Sequence, residues 1–131
     1  MNTIVENKIY LNADYFNFVN NRYGSEYLKP INTGCILPNH YFIVDGGDVF
    51  TVDGFKIQPY EFSNGKLYVN LTCYISMSDG STVFDFCACA VDELVAHHFN
   101  PVPENYAYMY LKHIDGNLKN NLSSNLVWEN K

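Results

Sequence analysis

The sequence predicts an α+β fold: an antiparallel β-meander over residues 40–90, followed by a small hairpin-and-helix unit over residues 91–131. Three observations predict it. Apolar residues make up 47% of 131, enough for a single domain burying roughly two thirds of its unfolded surface. Glycine turns at Asp45-Gly46-Gly47-Asp48, Asp53-Gly54, Asn64-Gly65 and Asp79-Gly80 cut the middle of the chain into short apolar runs. At Val91 the pattern turns helical, with Asp92 and Glu93 suited to a helix N-terminus and Pro101 and Pro103 to its end.

Each element follows in order. In the N-terminal segment, 1–39, Asn12-Ala13-Asp14 reads as the cap of a short helix carrying Tyr15, Phe16, Phe18, Val19 and Tyr23, with Gly24 as its stop. Residues 25–39 read as irregular, punctuated by Pro30, Gly34 and Pro38. The meander's strands are Tyr41 to Val44, Val49 to Val52, Phe55 to Phe62, Lys66 to Ser76 and Thr82 to Ala90. A helix follows over Asp92 to Phe99. Adjacent helical residues point about 100° apart, so of His97 and His98 one packs and the other meets solvent. Asn105 to Leu111 alternates tyrosines with Ala and Met, a strand delivering His113 to a hairpin. Ser123-Ser124 begins a final helix or turn containing Leu126 and Trp128.

Charge and cysteines narrow the chemistry. Eight basic residues face fourteen acidic ones, and Arg22 is the sole arginine. A protein that grips duplex DNA neutralises several phosphates with Lys and Arg, so autonomous DNA binding is disfavoured. No run reaches the roughly 18 apolar residues of a membrane span. The polar start, Met1 to Lys8, argues against a signal peptide. Cys87 and Cys89 share one face of a strand, with Cys73 on a neighbour. With no C-x-x-C pair, the spacing suits buried, reduced thiols better than zinc ligands.

The richest segment is Lys112-His113-Ile114-Asp115-Gly116-Asn117, continuing through Asn120-Asn121 to Asn125-Leu126 and Trp128. Upstream stand Leu94-Val95-Ala96, Phe99-Asn100-Pro101 and Pro103-Glu104-Asn105. In order and interval, these pieces resemble the HNH, or His-Me finger, nucleases of the phage and intron homing type. The resemblance covers about residues 40–128. It implies a ββα-metal fold, a β-hairpin packed on a helix around one divalent metal. His113 would be the general base that deprotonates the attacking water, and Asn125 would orient its imidazole. Asp115 and Gly116 would form the turn, Asn120 and Asn121 the loop, and Trp128 would pack beneath the site.

The metal ligands depart from that pattern. The family places Asp, Asn or His immediately before the base, where this chain has Lys112, and an ammonium does not ligate Mg²⁺. The family's second ligand position falls beyond Lys131. Asp92-Glu93 stands where a histidine is common. Two readings of His113 stay open, a hairpin residue or a working base. Lys112 is either a surface lysine or a phosphate contact. Tyr106, Tyr108 and Tyr110 form either core or an exposed aromatic face of the kind enriched at protein interfaces.

The expectation is therefore a non-catalytic, HNH-derived phage protein that binds a phage or host protein, as a virion component or an inhibitor in the host cytoplasm. Asparagine-rich composition, with a single glutamine, fits an AT-rich phage genome. No cofactor and no membrane contact are expected. The alternatives are an endonuclease using Mg²⁺ or Mn²⁺, with Asp115 as a weak candidate ligand, and a DNA-binding accessory protein that does not cleave.

Overall fold

The computed structural model describes residues 3–5, 8–10, 28–38, 40–52 and 54–131. The expected helix over 12–23 lies outside them. Six short strands form an antiparallel sheet: β1 (Thr3–Val5), β2 (Lys8–Tyr10), β3 (Leu28–Pro30), β4 (Tyr41–Val44), β5 (Val49–Thr51) and β6 (Phe55–Ile57). Their spatial order is β1-β2-β6-β5-β4-β3. The sheet draws in β3 from a stretch read as irregular. Pro30 is accommodated there because β3 is an edge strand, where a missing N–H costs no ladder bond.

The next expected strand, Phe55 to Phe62, is split. Pro59 separates β6 from β7 (Tyr60–Glu61), and β7 opens a second sheet with β8 (Leu67–Ser76) and β9 (Thr82–Ala90). Alternation in β8 turns Val69, Leu71 and Cys73 inward and leaves Asn70 and Tyr74 exposed. β7 covers only the start of β8. Farther along, residues 35–37 take its free edge, with Leu37 N–H donating to Thr72 O and Tyr74 N–H to Cys35 O, both at 3.0 Å.

Helix α1 (Val91–Phe99) follows β9 directly. Val91, Leu94, Val95 and Ala96 are buried against Ile31, Ile43, Val49, Val69, Leu71 and Leu126, so one core joins both sheets to the helix. Lys29 Nζ donates to His98 O at 2.8 Å, placing a cation where the helix dipole favours one. His97 and His98 are both half-buried, where one was expected to pack and the other to meet solvent. His97 packs edge-on against Tyr106 and Trp128, while His98 Nδ1 bonds Leu94 O at 2.7 Å. Burial holds the His98 imidazole below its ordinary pKa.

The C-terminal hairpin pairs β10 (Met109–His113) with β11 (Leu126–Asn130). Two expectations change here. Tyr106–Tyr108 is a 3-10 turn rather than strand, and Ser123–Asn125 is a 3-10 turn leading into a strand rather than a helix. Leu126 and Trp128 therefore occupy β11, and the helix packed on the hairpin is α1, which precedes it. No helix among the described residues is long and apolar enough to cross a membrane.

Candidate functional site

His113 ends β10, opposite Leu126. Gly116, at φ +75°, allows the tight turn that follows, closed by Gly116 N–H donating to His113 O at 3.0 Å. The His113 side chain is only 1% exposed. Its Nε2 lies 3.1 Å from Asn121 Oδ1, an acceptor, so the ring N–H is donated there. Asp92 Oδ2, from the first turn of α1, lies 3.7 Å from the same nitrogen.

Asp92 is itself 2% exposed and faces Lys66 Nζ at 3.1 Å, an ion pair without hydrogen-bond alignment. Burying a carboxylate is costly unless a cation compensates it, and Lys66 supplies one. Lys66, Asp92, His113 and Asn121 thus form one largely buried polar cluster where the β7–β8 turn, α1 and the C-terminal hairpin meet.

Asn125 does not orient the imidazole; Asn121 makes the bond expected of it. Asn125 organises the turn instead. Its Oδ1 accepts from Asp115 N–H at 3.1 Å, and its Nδ2 donates to Asp115 Oδ1 at 3.0 Å and Asn120 O at 2.9 Å. Its side chain is thereby engaged before it could reach the ring. Asp115 is exposed and accepts further bonds from Asn117 N–H and Asn120 Nδ2, both at 2.8 Å. The Asn120 bond leads in holding its carboxyl below the usual carboxylate range.

The position immediately before His113, where the resemblance places a metal ligand, is a lysine. Lys112, in the ligand position, presents an ammonium 3.5 Å from Glu129 Oε1 on the hairpin's outer face. Asp115 Oδ1 and Oδ2 both already accept hydrogen bonds.

Tyr106, Tyr108 and Tyr110 are all exposed, at 47%, 76% and 44%, so they are not core. They do not share one face. Tyr106 leans on His97 and Trp128, and Tyr110 donates to Glu129 Oε2 at 2.7 Å beside Lys112. That bond raises the Tyr110 pKa and lowers that of Glu129.

Three features of the structure go beyond the sequence reading. Asp45, seen there only as a turn residue, accepts from Ser123 N–H at 2.7 Å and Ser123 Oγ at 2.6 Å, clamping the β4–β5 turn onto the hairpin loop. Asn100 Nδ2 ties the end of α1 to Ser123 O at 3.1 Å and Leu126 O at 2.9 Å. The cysteines are not all buried, reduced thiols: Cys73 and Cys87 form a disulfide across β8 and β9, with Cα atoms 6.1 Å apart, while Cys35 is exposed and free.

No protein-family model matches this chain, and no curated protein matches it. A solved structure describing DNA binding and cleavage by the HNH homing endonuclease I-HmuI is similar, with a TM-score of 0.55 and 28% sequence identity. The match covers 79% of this chain and 52% of that one, so this chain spans about half the length of the protein it resembles. The hairpin, its histidine turn and this likeness together give the chain an HNH-like α+β fold of nuclease-related origin.

Proposed function

We propose that this chain is a non-catalytic, HNH-derived phage protein that acts by binding another protein, of phage or host, in the virion or the host cytoplasm. The observation that carries this reading is the state of His113. A general base must come within hydrogen-bond reach of the proton it removes. The His113 side chain is 1% exposed, and its Nε2 proton is directed at a buried asparagine. The histidine here holds the loop to α1. Lys112, paired with Glu129, provides no metal ligand beside it.

The surface supports protein binding over nucleic acid. On one face of the β8–β9 hairpin, Tyr74 pairs with Phe84, and Phe86 lies alongside. Phe84 and Phe86 are 62% and 71% exposed, and Ile75 and Val83 are exposed on the opposite face. Exposed apolar groupings of this kind mark interaction surfaces. The net charge of −6 opposes phosphate binding.

A supercoiled-plasmid nicking assay in Mg²⁺ and in Mn²⁺ tests the reading. Intact plasmid with wild-type protein, and no duplex binding at about 150 mM salt, is the expected result. Metal-dependent nicking that His113→Ala abolishes would overturn it in favour of an endonuclease. Salt-sensitive duplex binding without nicking would favour a DNA-binding accessory protein.

A further inference from the structure

Three of the four cysteines converge at one corner, away from His113. Ile36 bridges Cys73 in the strip that residues 35–37 add to β8, and Cys87 comes from β9 on the other side. The sulfurs of Cys35, Cys73 and Cys87 all lie within 4.8 Å of one another. Cys35 Sγ is 3.7 Å from Cys87 Sγ. Two thiolates on one tetrahedral zinc, each about 2.3 Å from the metal, sit about 3.8 Å apart. A disulfide needs only Cys73 and Cys87, and the Cys35 sulfur stands as a third one at that distance.

The surroundings suit a soft cation. Cys35 and Cys87 line a cavity of about 510 Å³ together with Cys89, Glu93 and His97. Its described lining includes no lysine or arginine to compete with a metal. Cys89 lies outside the triangle of sulfurs.

We propose that the reduced chain binds Zn²⁺ through Cys35, Cys73 and Cys87, with the fourth position left to a water from the adjoining cavity. Reduction of the Cys73–Cys87 bond takes two electrons and two protons. A phosphine with one water supplies both, and the phosphine becomes its oxide. Zn²⁺ then displaces one proton from each of three thiols, and no electron moves in that step. The ion ties residues 31–38 to both long strands. Disulfide and metal exclude each other, so the site exists only in a reducing compartment.

The test uses the full chain, reduced with a phosphine under argon and titrated with Co²⁺ as a coloured stand-in for Zn²⁺. One equivalent should produce a thiolate-to-cobalt charge-transfer band and tetrahedral visible bands, which Zn²⁺ then erases. Cys35 is exposed, so Cys35→Ser leaves the core intact where loss of buried Cys73 would not. Cys35→Ser should weaken Co²⁺ binding at least about ten-fold, as losing a direct ligand exceeds the usual effect of an outer-shell change. It should also remove roughly one third of the charge-transfer intensity, one thiolate of three. Cys89→Ser should change neither. Absence of the band in the reduced protein, or a band that Cys35→Ser leaves intact, overturns the site.

Discussion

His113 and Asp115 stand two positions apart and carry different burdens. His113 is buried, and its removal leaves Asn121 Oδ1 and the Asp92 carboxylate facing a cavity. An unsatisfied buried acceptor plus lost packing costs about 3 kcal/mol. His113→Ala should therefore lower the urea midpoint markedly, and an unchanged midpoint would show that the ring is not a structural tie. Asp115 is exposed, and its effect appears in pH rather than in a large energy. Its folded pKa is depressed, chiefly by the Asn120 bond, so its contribution is present above the unfolded value and lost as pH falls through the folded one. An NMR titration should find the Asp115 carboxyl below the usual range, and Asn120→Ala should raise it. The turn around Asp115 is legible in the sequence as Asp-Gly. The imidazole's true partner is not, because Asn120, Asn121 and Asn125 offer the same chemistry and only the folded loop selects Asn121.

The β4–β5 turn is the element on which the two halves meet. Gly47 has φ +103°, and a Cβ there would collide with Val91 Cγ1 of α1. Gly80, in the β8–β9 turn, also has positive φ (+88°) but faces open space. Gly47→Ala should therefore cost about 3 kcal/mol and Gly80→Ala only about 1 kcal/mol, the strain of the backbone alone. Thermal unfolding of the two variants checks this, and equal losses would show that the contact with α1 is unimportant. Asp45→Ala removes both bonds to Ser123 and should cost about 2 kcal/mol. The turn itself is evident from Asp45-Gly46-Gly47-Asp48, as are β4, β8, β9 and α1. Those elements are bounded by local signals: glycine turns, acidic residues and proline. The remaining boundaries depend on pairing at a distance. β3 is drawn straight by β4, β11 by β10, and the split at Pro59 follows from two sheets claiming the neighbouring residues.

At the scale of the whole molecule, buried polar residues join the elements of an HNH-like scaffold. Lys66, Asp92, His113 and Asn121 hold the β7–β8 turn, α1 and the C-terminal hairpin together, and Lys112 pairs outward with Glu129. The scaffold is legible because its motif residues lie close in sequence. The buried cluster is not, since it joins positions from 66 to 121. Single-turnover nicking, with protein in large excess over supercoiled plasmid and Mg²⁺ or Mn²⁺ present, tests the central claim most directly. Plasmid that stays supercoiled equally with wild type and His113→Ala is the predicted result. Nicking by wild type would contradict the account, and its loss in a His113→Ala variant shown to be folded by circular dichroism would make His113 a working base.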